Sequence, residues 1–316
     1  MDKTKKVSTL LLMENILIID LGTNTAIFTV LSKDNSKLII TYEQSITTRI
    51  GENISSTNNI SKEVLERNMS LINKELEYIR SKFNISNTYA MTTEALRCAV
   101  NGQDCIKELN DNCGIEFEII TGEKEAMLTE KALHPLTRQF PNRVICDIGG
   151  GSTELIFIES NTTKGYKSIP LGVLRIEKDF KVSSNPKAHT SAILGITRLL
   201  GPKKINTNAL ILCGGTATTT ASILLGLNNY DAKKVEGYVL KREELEALIL
   251  KVSKMNLKDL RELLITDKAR ADVITAGFLI IRELINHFNP TTIMISTYGP
   301  RHGFVMEKLA MDEVIQ

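Results

Sequence analysis

The 316-residue chain has no stretch approaching the ~18 consecutive apolar residues that a membrane-spanning helix needs. Lys3, Lys5 and Lys6 ahead of Leu10–Leu11–Leu12–Met13 superficially imitate a secretion signal, but Glu14 and Asn15 cut the run short. Ile16–Leu17–Ile18–Ile19 reads better as the first strand of a domain. A cytoplasmic protein with no membrane contact is expected, with Met13 a candidate start and residues 1–12 a frayed leader. Cysteine is sparse: Cys98, Cys105, Cys113, Cys146 and Cys213 include no C-x-x-C pair. An odd set of dispersed thiols fits a reducing compartment and buried, inert side chains. With 19 glycines, 7 prolines, 42% apolar and 24% charged residues, collagen-like, low-complexity and disordered classes are excluded. An excess of one charge is missing too. The 39 Lys/Arg against 37 Asp/Glu leave +2, so neither DNA nor RNA is expected as a partner and any anion site must be local. G-x-x-x-x-G-K-[ST] and H-E-x-x-H are both absent, and His134, His189, His287 and His302 are scattered, so zinc chemistry is not expected.

What is present is a pattern used twice. Asn15–Asp20, a turn at Gly22–Thr25 and Ala26–Leu31 form a hairpin signal, followed by a strand at Leu38–Tyr42. Val64, Leu65, Met69, Leu71, Ile72, Leu76 and Ile79 then recur at helical spacing through 61–82, with Ser61 as N-cap. Thr88–Met91 feeds a helix from Glu94 that breaks at Asn101–Gly102. Phe117–Ile120 is a strand, and a helix follows from Glu123 to about Leu133. Setting Ile16–Val30 on Arg143–Phe157 at an offset of 127 residues aligns Asp20 with Asp147 and Gly22 with Gly149. So large a period is a domain duplication and not a solenoid. Further elements are expected at Ala209–Leu212, Lys241–Met255, Arg270–Phe288 and Thr292–Ser296, with a short final helix after Gly299–Gly303.

Three small-residue turns follow apolar strands: D-L-G-T-N-T (20–25), D-I-G-G-G-S-T (147–153) and C-G-G-T-A-T (213–218). Glycine lets backbone N–H groups approach an anion with no Cβ in the way, and hydroxyls add donors, so such turns can cradle phosphate. A dinucleotide fingerprint is excluded, because Gly149–Gly151 lead into the strand-like Glu154–Ile158. The phosphate would sit between hairpin turns. Asp20, Asp147 and Glu154 lie beside these turns. Carboxylates ~4 Å apart repel by about 4 kcal/mol at an effective dielectric near 20, so a converged set beside phosphate calls for a cation, and Mg²⁺ is the natural one. Turn capping by Asp is the bland alternative. Glu123 and Glu125 fall in the first turn of a helix, where the dipole alone accounts for carboxylates. Position alone makes neither catalytic. Lys164, Lys167, Arg175, Lys178, Lys181, Lys187, Arg198, Lys203 and Lys204 face only Glu177 and Asp179, a local excess that is either a solvated face or a polyanion path.

With these motifs in order, the chain resembles the exopolyphosphatase/guanosine pentaphosphate phosphohydrolase (Ppx/GppA) family of the actin-like ATPase superfold, from about Ile16 to Gly303. The resemblance rests on I-D-L-G-T-N-T (19–25), R-I-G-E (49–52), T-E-A-L-R (93–97) with Asn101–Gly102, and G-E-K-E-A (122–126). It continues through D-I-G-G-G-S-T-E-L (147–155), P-L-G (170–172), G-G-T (214–216) and R-A-D-V-I (270–274). It implies an α/β fold of two ribonuclease-H-like lobes around an interdomain cleft. The lobes would span 13–124 and 125–300, with the C-terminal helix (301–316) packing on the first. It further implies a short two-domain form, a homodimer, and removal of a terminal phosphate by water. Glu125 would activate the water, and Glu123 would be a neighbour of lesser role. Asp147 and Glu154 would hold Mg²⁺ or orient the nucleophile, with Asp20 assisting at the metal. Arg97 would grip phosphate together with Gly22, Thr23, Asn24, Gly149, Gly150, Gly151, Ser152, Gly214, Gly215 and Thr216.

Two departures stand out. Ala26–Ile27–Phe28 replaces a stretch where the family usually carries a basic residue, and Gly299–Pro300–Arg301–His302–Gly303 replaces G-L-R-E-G. The expected activity is release of orthophosphate from inorganic polyphosphate, with pppGpp to ppGpp overlapping. The short form makes short chains or pppGpp comparatively favoured. A kinase or ATPase of the same superfold, and a non-catalytic sensor of polyphosphate or (p)ppGpp, remain open as alternatives.

Overall fold

A computed structural model describes residues 14–34, 37–52, 54, 58–202, 207–311 and 314–315. The candidate start at Met13, the leader before it, and Lys203 and Lys204 lie outside the described residues. The chain divides into two compact units, one running to Thr121 and resuming at Arg301, the other Gly122–Pro300. The break falls ahead of the 124/125 boundary expected from sequence, because the helix Gly122–Thr137 belongs wholly to the second unit.

The first unit's sheet contains β1 (Asn15–Leu21), β2 (Thr25–Asp34), β3 (Lys37–Thr47), β4 (Ile85–Thr92), β5 (Phe117–Ile119) and β12 (Val314–Ile315), in the order β12-β3-β2-β1-β4-β5. Every residue of β1 is buried, as a central strand demands. Leu17, Ile19 and Leu21 meet the apolar stripe of α1 (Lys62–Lys82), formed by Val64, Leu65, Met69, Ile72, Leu76 and Ile79. Ser61 caps that helix, its Oγ accepting from Val64 N at 3.3 Å. Two short helices, α2 (Glu94–Cys98) and α3 (Gly102–Cys113), are separated at Ala99–Asn101. Gly102 closes this corner, since a Cβ there would lie 2.0 Å from Leu96 O. The returning C-terminal segment is fixed to this unit by Arg301, whose Nη2 lies 2.9 Å from Glu43 Oε2, and by Lys308, 2.7 Å from Glu118 Oε2.

The second unit begins with α4 (Gly122–Thr137) and contains β6 (Arg143–Ile148), β7 (Thr153–Glu159), β8 (Thr162–Ile169), α5 (Val173–Phe180), α6 (His189–Leu200), β9 (Ala209–Cys213), α7 (Gly215–Leu224), α8 (Ala232–Val235), β10 (Tyr238–Val239), α9 (Arg242–Val252), α10 (Leu257–Leu263), α11 (Ile274–Phe288) and β11 (Thr292–Ile295). Its sheet order is β10-β11-β9-β6-β7-β8. Read from β8, this repeats β3-β2-β1-β4-β5. The central pairs match in direction as well: β1–β2 and β6–β7 antiparallel, β1–β4 and β6–β9 parallel. The duplication inferred at an offset of 127 is therefore a duplication of topology.

Several sequence expectations are corrected. β3 continues to Thr47, α4 continues to Thr137, and α9 stops at Val252. Arg270 ends a short 3-10 turn, Lys268–Arg270, and the α-helix itself starts only at Ile274. Four of the thiols are buried, but Cys98 is exposed, because it closes a five-residue helix with its side chain outward. Among the described residues no helix is long and apolar enough to cross a membrane.

Candidate active site

Each unit ends its central strand in the same turn. Gly22 N donates to Thr25 O at 3.0 Å, and Gly149 N donates to Ser152 O at 2.9 Å, the same bond at the same offset. The third glycine turn differs from the expected hairpin. Gly214, at φ +85°, leads straight into α7, so β9 and α7 form a strand-to-helix turn. Its counterpart in the first unit is the passage from β4 to α2. β1 and β4 are parallel neighbours, as are β6 and β9, so in each unit a hairpin turn and a helix start lie side by side at strand carboxyl ends, where open α/β sheets bind ligands.

The second unit's turn is oriented from behind. Val173 N donates to Gly149 O (3.2 Å), Leu174 N to Gly150 O (2.9 Å) and Arg175 Nε to Gly151 O (2.8 Å). Among the described residues no peptide bond is cis, and a trans peptide points its N–H opposite to its C=O. The N–H groups of Gly150, Gly151 and Ser152 therefore point away from α5, as an anion-binding nest requires. Gly172 makes this contact possible. A Cβ there would lie 2.3 Å from Gly150 O and 2.5 Å from the carbonyl carbons of Gly150 and Gly151. G172A should therefore cost about 1–3 kcal/mol, the usual range for overpacking. Thermal denaturation is the measurement, with G165A as control, since nothing lies within 4 Å of a Cβ at Gly165. Equal midpoints for the two variants would show that the turn is not braced by α5.

Burial separates the two glutamates of G-E-K-E-A. Glu123 is exposed, whereas Glu125 is only 8% exposed and lies beside Ala126, which packs in the core under β6 and β7. One helical turn on, the buried Thr129 donates to Glu125 O (2.9 Å) and approaches Asp147 Oδ2 (3.4 Å). Thr129 thus links the helix carrying Glu125 to the strand carrying Asp147. Sequence reasoning passed over it, and its only signal was a hydroxyl four residues after Glu125. Asp147 and Glu154 are direct cross-strand partners between β6 and β7. Gly214 is small because a Cβ there would lie 2.8 Å from Asp147 Oδ1. Burial pushes the Cys213 thiol well above its ordinary range, and Asp147 adds to the shift. That thiol is inert.

The hydroxyls expected to donate to phosphate are turned inward. Ser152 Oγ donates to Glu154 Oε1 (2.8 Å), which also accepts from Ser168 Oγ (2.7 Å), and Thr23 Oγ1 donates to Glu94 Oε2 (3.1 Å). A hydroxyl has one proton to give, so Ser152 and Thr23 are left to meet an anion through backbone N–H. Glu94, buried at 4% exposure, was not singled out from sequence, though it stands in T-E-A-L-R. Thr216 packs its methyl against Gly277, and Arg97 Nη1 is bound to Ile120 O at 2.7 Å. Gly215 lies under the Arg270 guanidinium, at 2.3 Å from Cζ to the position of a Cβ. In the first unit Asp20 and Asn24 are buried beside Gly22, and Ile27 stands directly across the ladder from Asp20.

Asp147 and Glu154 also decide what cation would fit. Among the described residues no three His, Cys, Asp or Glu side chains are disposed to hold a metal. These residues therefore offer no cage built from His, Cys and carboxylate side chains alone. The set fits an ion that takes one or two carboxylates and completes its shell with phosphate and water oxygens, which is the habit of Mg²⁺.

Two duplicated mixed α/β sheets with turns of this kind at strand carboxyl ends define the actin-like ATPase superfold. The chain matches the Ppx/GppA phosphatase family over residues 29–311 and belongs to that family. It is 27% identical over 310 residues to a bifunctional 3-dehydroquinate synthase/phosphatase of Fusobacterium nucleatum, covering 92% of this chain and 46% of that protein. The chain thus spans about half the length of that relative. It is 26% identical over 273 residues to exopolyphosphatase 1 of Mycobacterium tuberculosis, covering 83% and 78% of the two chains. In fold it is similar to an exopolyphosphatase from Cytophaga hutchinsonii, with a TM-score of 0.85, 21% identity, and 94% and 98% coverage.

Proposed function

We propose that the protein is a Mg²⁺-dependent phosphoanhydride hydrolase that releases orthophosphate from the end of inorganic polyphosphate, with pppGpp to ppGpp as an overlapping activity. The observation that carries this reading is the buried Glu125, joined through Thr129 to Asp147 beside the outward N–H groups of Gly150–Ser152.

The terminal phosphoryl group is received by those N–H groups and by the first-turn amides of α7, which have no intrahelical acceptor. Glu125 takes a proton from a water aligned with the terminal phosphorus. The new P–O bond forms as the bond to the bridging oxygen breaks, and the shortened chain leaves with its end as an oxyanion. Little covalent work falls to the protein, since alignment and charge neutralisation dominate phosphoryl transfer. Asp147, with Glu154 beside it, would hold Mg²⁺, which when bound neutralises phosphate charge. Ser152 and Ser168 keep the Glu154 carboxylate in one orientation.

The test is a phosphate-release assay with short and long polyphosphate, pppGpp and ATP side by side, with Mg²⁺ and with chelator. Release from polyphosphate well above that from ATP, and lost in chelator, is expected. Equal hydrolysis of ATP would favour an ATPase or kinase. Tight binding without release would make the protein a sensor, the reading that Ile27 and His302 would then explain.

A further inference from the structure

The brace behind the second unit's turn has a counterpart in the first unit. Gly51 N donates to Thr23 O (3.0 Å), and Thr48 N and Arg49 N both donate to Asn24 O (3.1 and 3.0 Å). At the offset of 127, Thr23 and Asn24 stand where Gly150 and Gly151 stand. The carbonyls that α5 holds in one unit are therefore held by a strap, residues 48–51, in the other. Even the close approach repeats, since a Cβ on Gly51 would lie 3.2 Å from Thr23 O and 2.2 Å from Thr23 Cγ2. With Thr23 O turned to the strap, the N–H of Asn24 is turned away from it.

A helix keeps its own shape, whereas a strap has to be held. Arg49 sits at φ +50°, a left-handed conformation that a residue other than glycine keeps only where its surroundings enforce it. Two neighbours on α1 do so. Arg67 Nη2 reaches Thr48 O (3.1 Å), Arg49 O (3.3 Å) and Glu52 Oε2 (2.9 Å), and Asn68 Nδ2 reaches Thr48 O (3.3 Å) and Val64 O (2.8 Å). Asn68 is fully buried, on the core-facing stripe of α1 with Leu65, Met69 and Ile72. Among the described residues its Oδ1 has no hydrogen-bond partner. A half-satisfied amide in an apolar stripe costs stability that an aliphatic side chain of similar size does not. Packing alone therefore does not account for it, and its donor to the strap does.

We infer that Asn68, together with Arg67, is a positioning residue, which through the strap holds the first unit's turn in place for the substrate. The inference rests on the hydrolase reading of the protein. Glu125 and Asp147 belong to the other unit, so slackening the strap removes binding and leaves the chemical step.

The experiment measures kcat and KM for tripolyphosphate, and the melting temperature, in the parent, N68L, R67Q and R67K. N68L should raise KM about three- to tenfold, the weight of one hydrogen bond, with kcat within about twofold and a melting temperature no lower than the parent's. R67Q should raise KM in the same way, and R67K should recover part of it, because an ammonium group still donates to Thr48 O. A purely structural Asn68 gives the opposite pattern: a lower melting temperature and a smaller active fraction, seen as a fall in apparent kcat at unchanged KM. That pattern overturns the inference. Should N68L not fold, R67Q decides, and an unchanged KM there overturns it as well. A parent that releases no phosphate would sink the hydrolase reading instead. Calorimetric binding of tripolyphosphate then tests the strap alone: weaker binding by R67Q upholds it, equal affinities end it, and a parent that binds nothing ends both readings.

Discussion

E125Q should lower kcat for phosphate release by about 10²–10⁴-fold, the range associated with losing a general base, while polyphosphate still binds within about threefold of the parent affinity. Glutamine has the size and shape of glutamate, but its amide does not accept a proton at neutral pH. The local packing should survive, because the bond from Thr129 goes to the backbone carbonyl of residue 125 and not to its side chain. E123Q is the matched control: one residue from the same dipeptide, exposed, and expected to leave turnover close to normal. Steady-state kinetics with calorimetric binding separates the two effects. Full turnover in E125Q would remove the base, and loss of both turnover and binding would point to collapse of the helix start.

The family resemblance already favours Glu125 over Glu123, but the physical difference between the two is visible only in the fold. In the sequence, Glu123 and Glu125 are two carboxylates at a helix N-terminus, a place that favours either one electrostatically. Only the rotation of α4 on its sheet, with Ala126 and Leu133 turned into the core, buries one and exposes the other. The duplication was legible because β1 and β6 are central strands with continuous apolar runs, each closed by aspartate and glycine. α1 was legible because its stripe is regular and capped. Much of 160–225 was not. β8 is an edge strand of largely exposed or half-buried residues, so it lacks the alternation that marks a half-buried strand. α7, G-T-A-T-T-T-A-S-I-L, has poor helix formers and no polar face, and reads as a turn. It is helical because tertiary burial overrides propensity. Two of its hydroxyls are satisfied by its own backbone: Thr220 Oγ1 donates to Thr216 O and Ser222 Oγ to Thr218 O, both at 2.8 Å. The same blindness applied to Thr23 and Ser152, whose types suggested donors to phosphate. No spacing rule reveals that their single protons go to Glu94 and Glu154.

D147N should separate stability from function in opposite directions. Asp147 faces Glu154 across the ladder, and directly opposed side chains in an antiparallel pair sit ~5 Å apart at Cβ. At an effective dielectric near 20, two carboxylates at that separation repel by about 3 kcal/mol, less whatever water penetration screens. Replacing one by a neutral amide of equal size removes the repulsion, and the new amide N–H can donate to Thr129 Oγ1, whose own proton goes to Glu125 O. The metal-free variant should therefore melt roughly 2–8 °C above the parent, taking about 1–2 kcal/mol as the realised gain and ~2–4 °C per kcal/mol for a domain of this size. The same change removes the carboxylate that would neutralise phosphate together with Mg²⁺, so kcat should fall by about 10²–10³-fold and added Mg²⁺ should no longer raise the melting temperature. For the parent, Mg²⁺ should stabilise by binding the native state, and chelator should reverse this. Functional sites are held in arrangements that cost stability, and this pair of carboxylates is such an arrangement if a cation is what it awaits. A D147N protein that melts lower than the parent, or that keeps Mg²⁺-dependent turnover, would show that the two carboxylates are not poised for a metal.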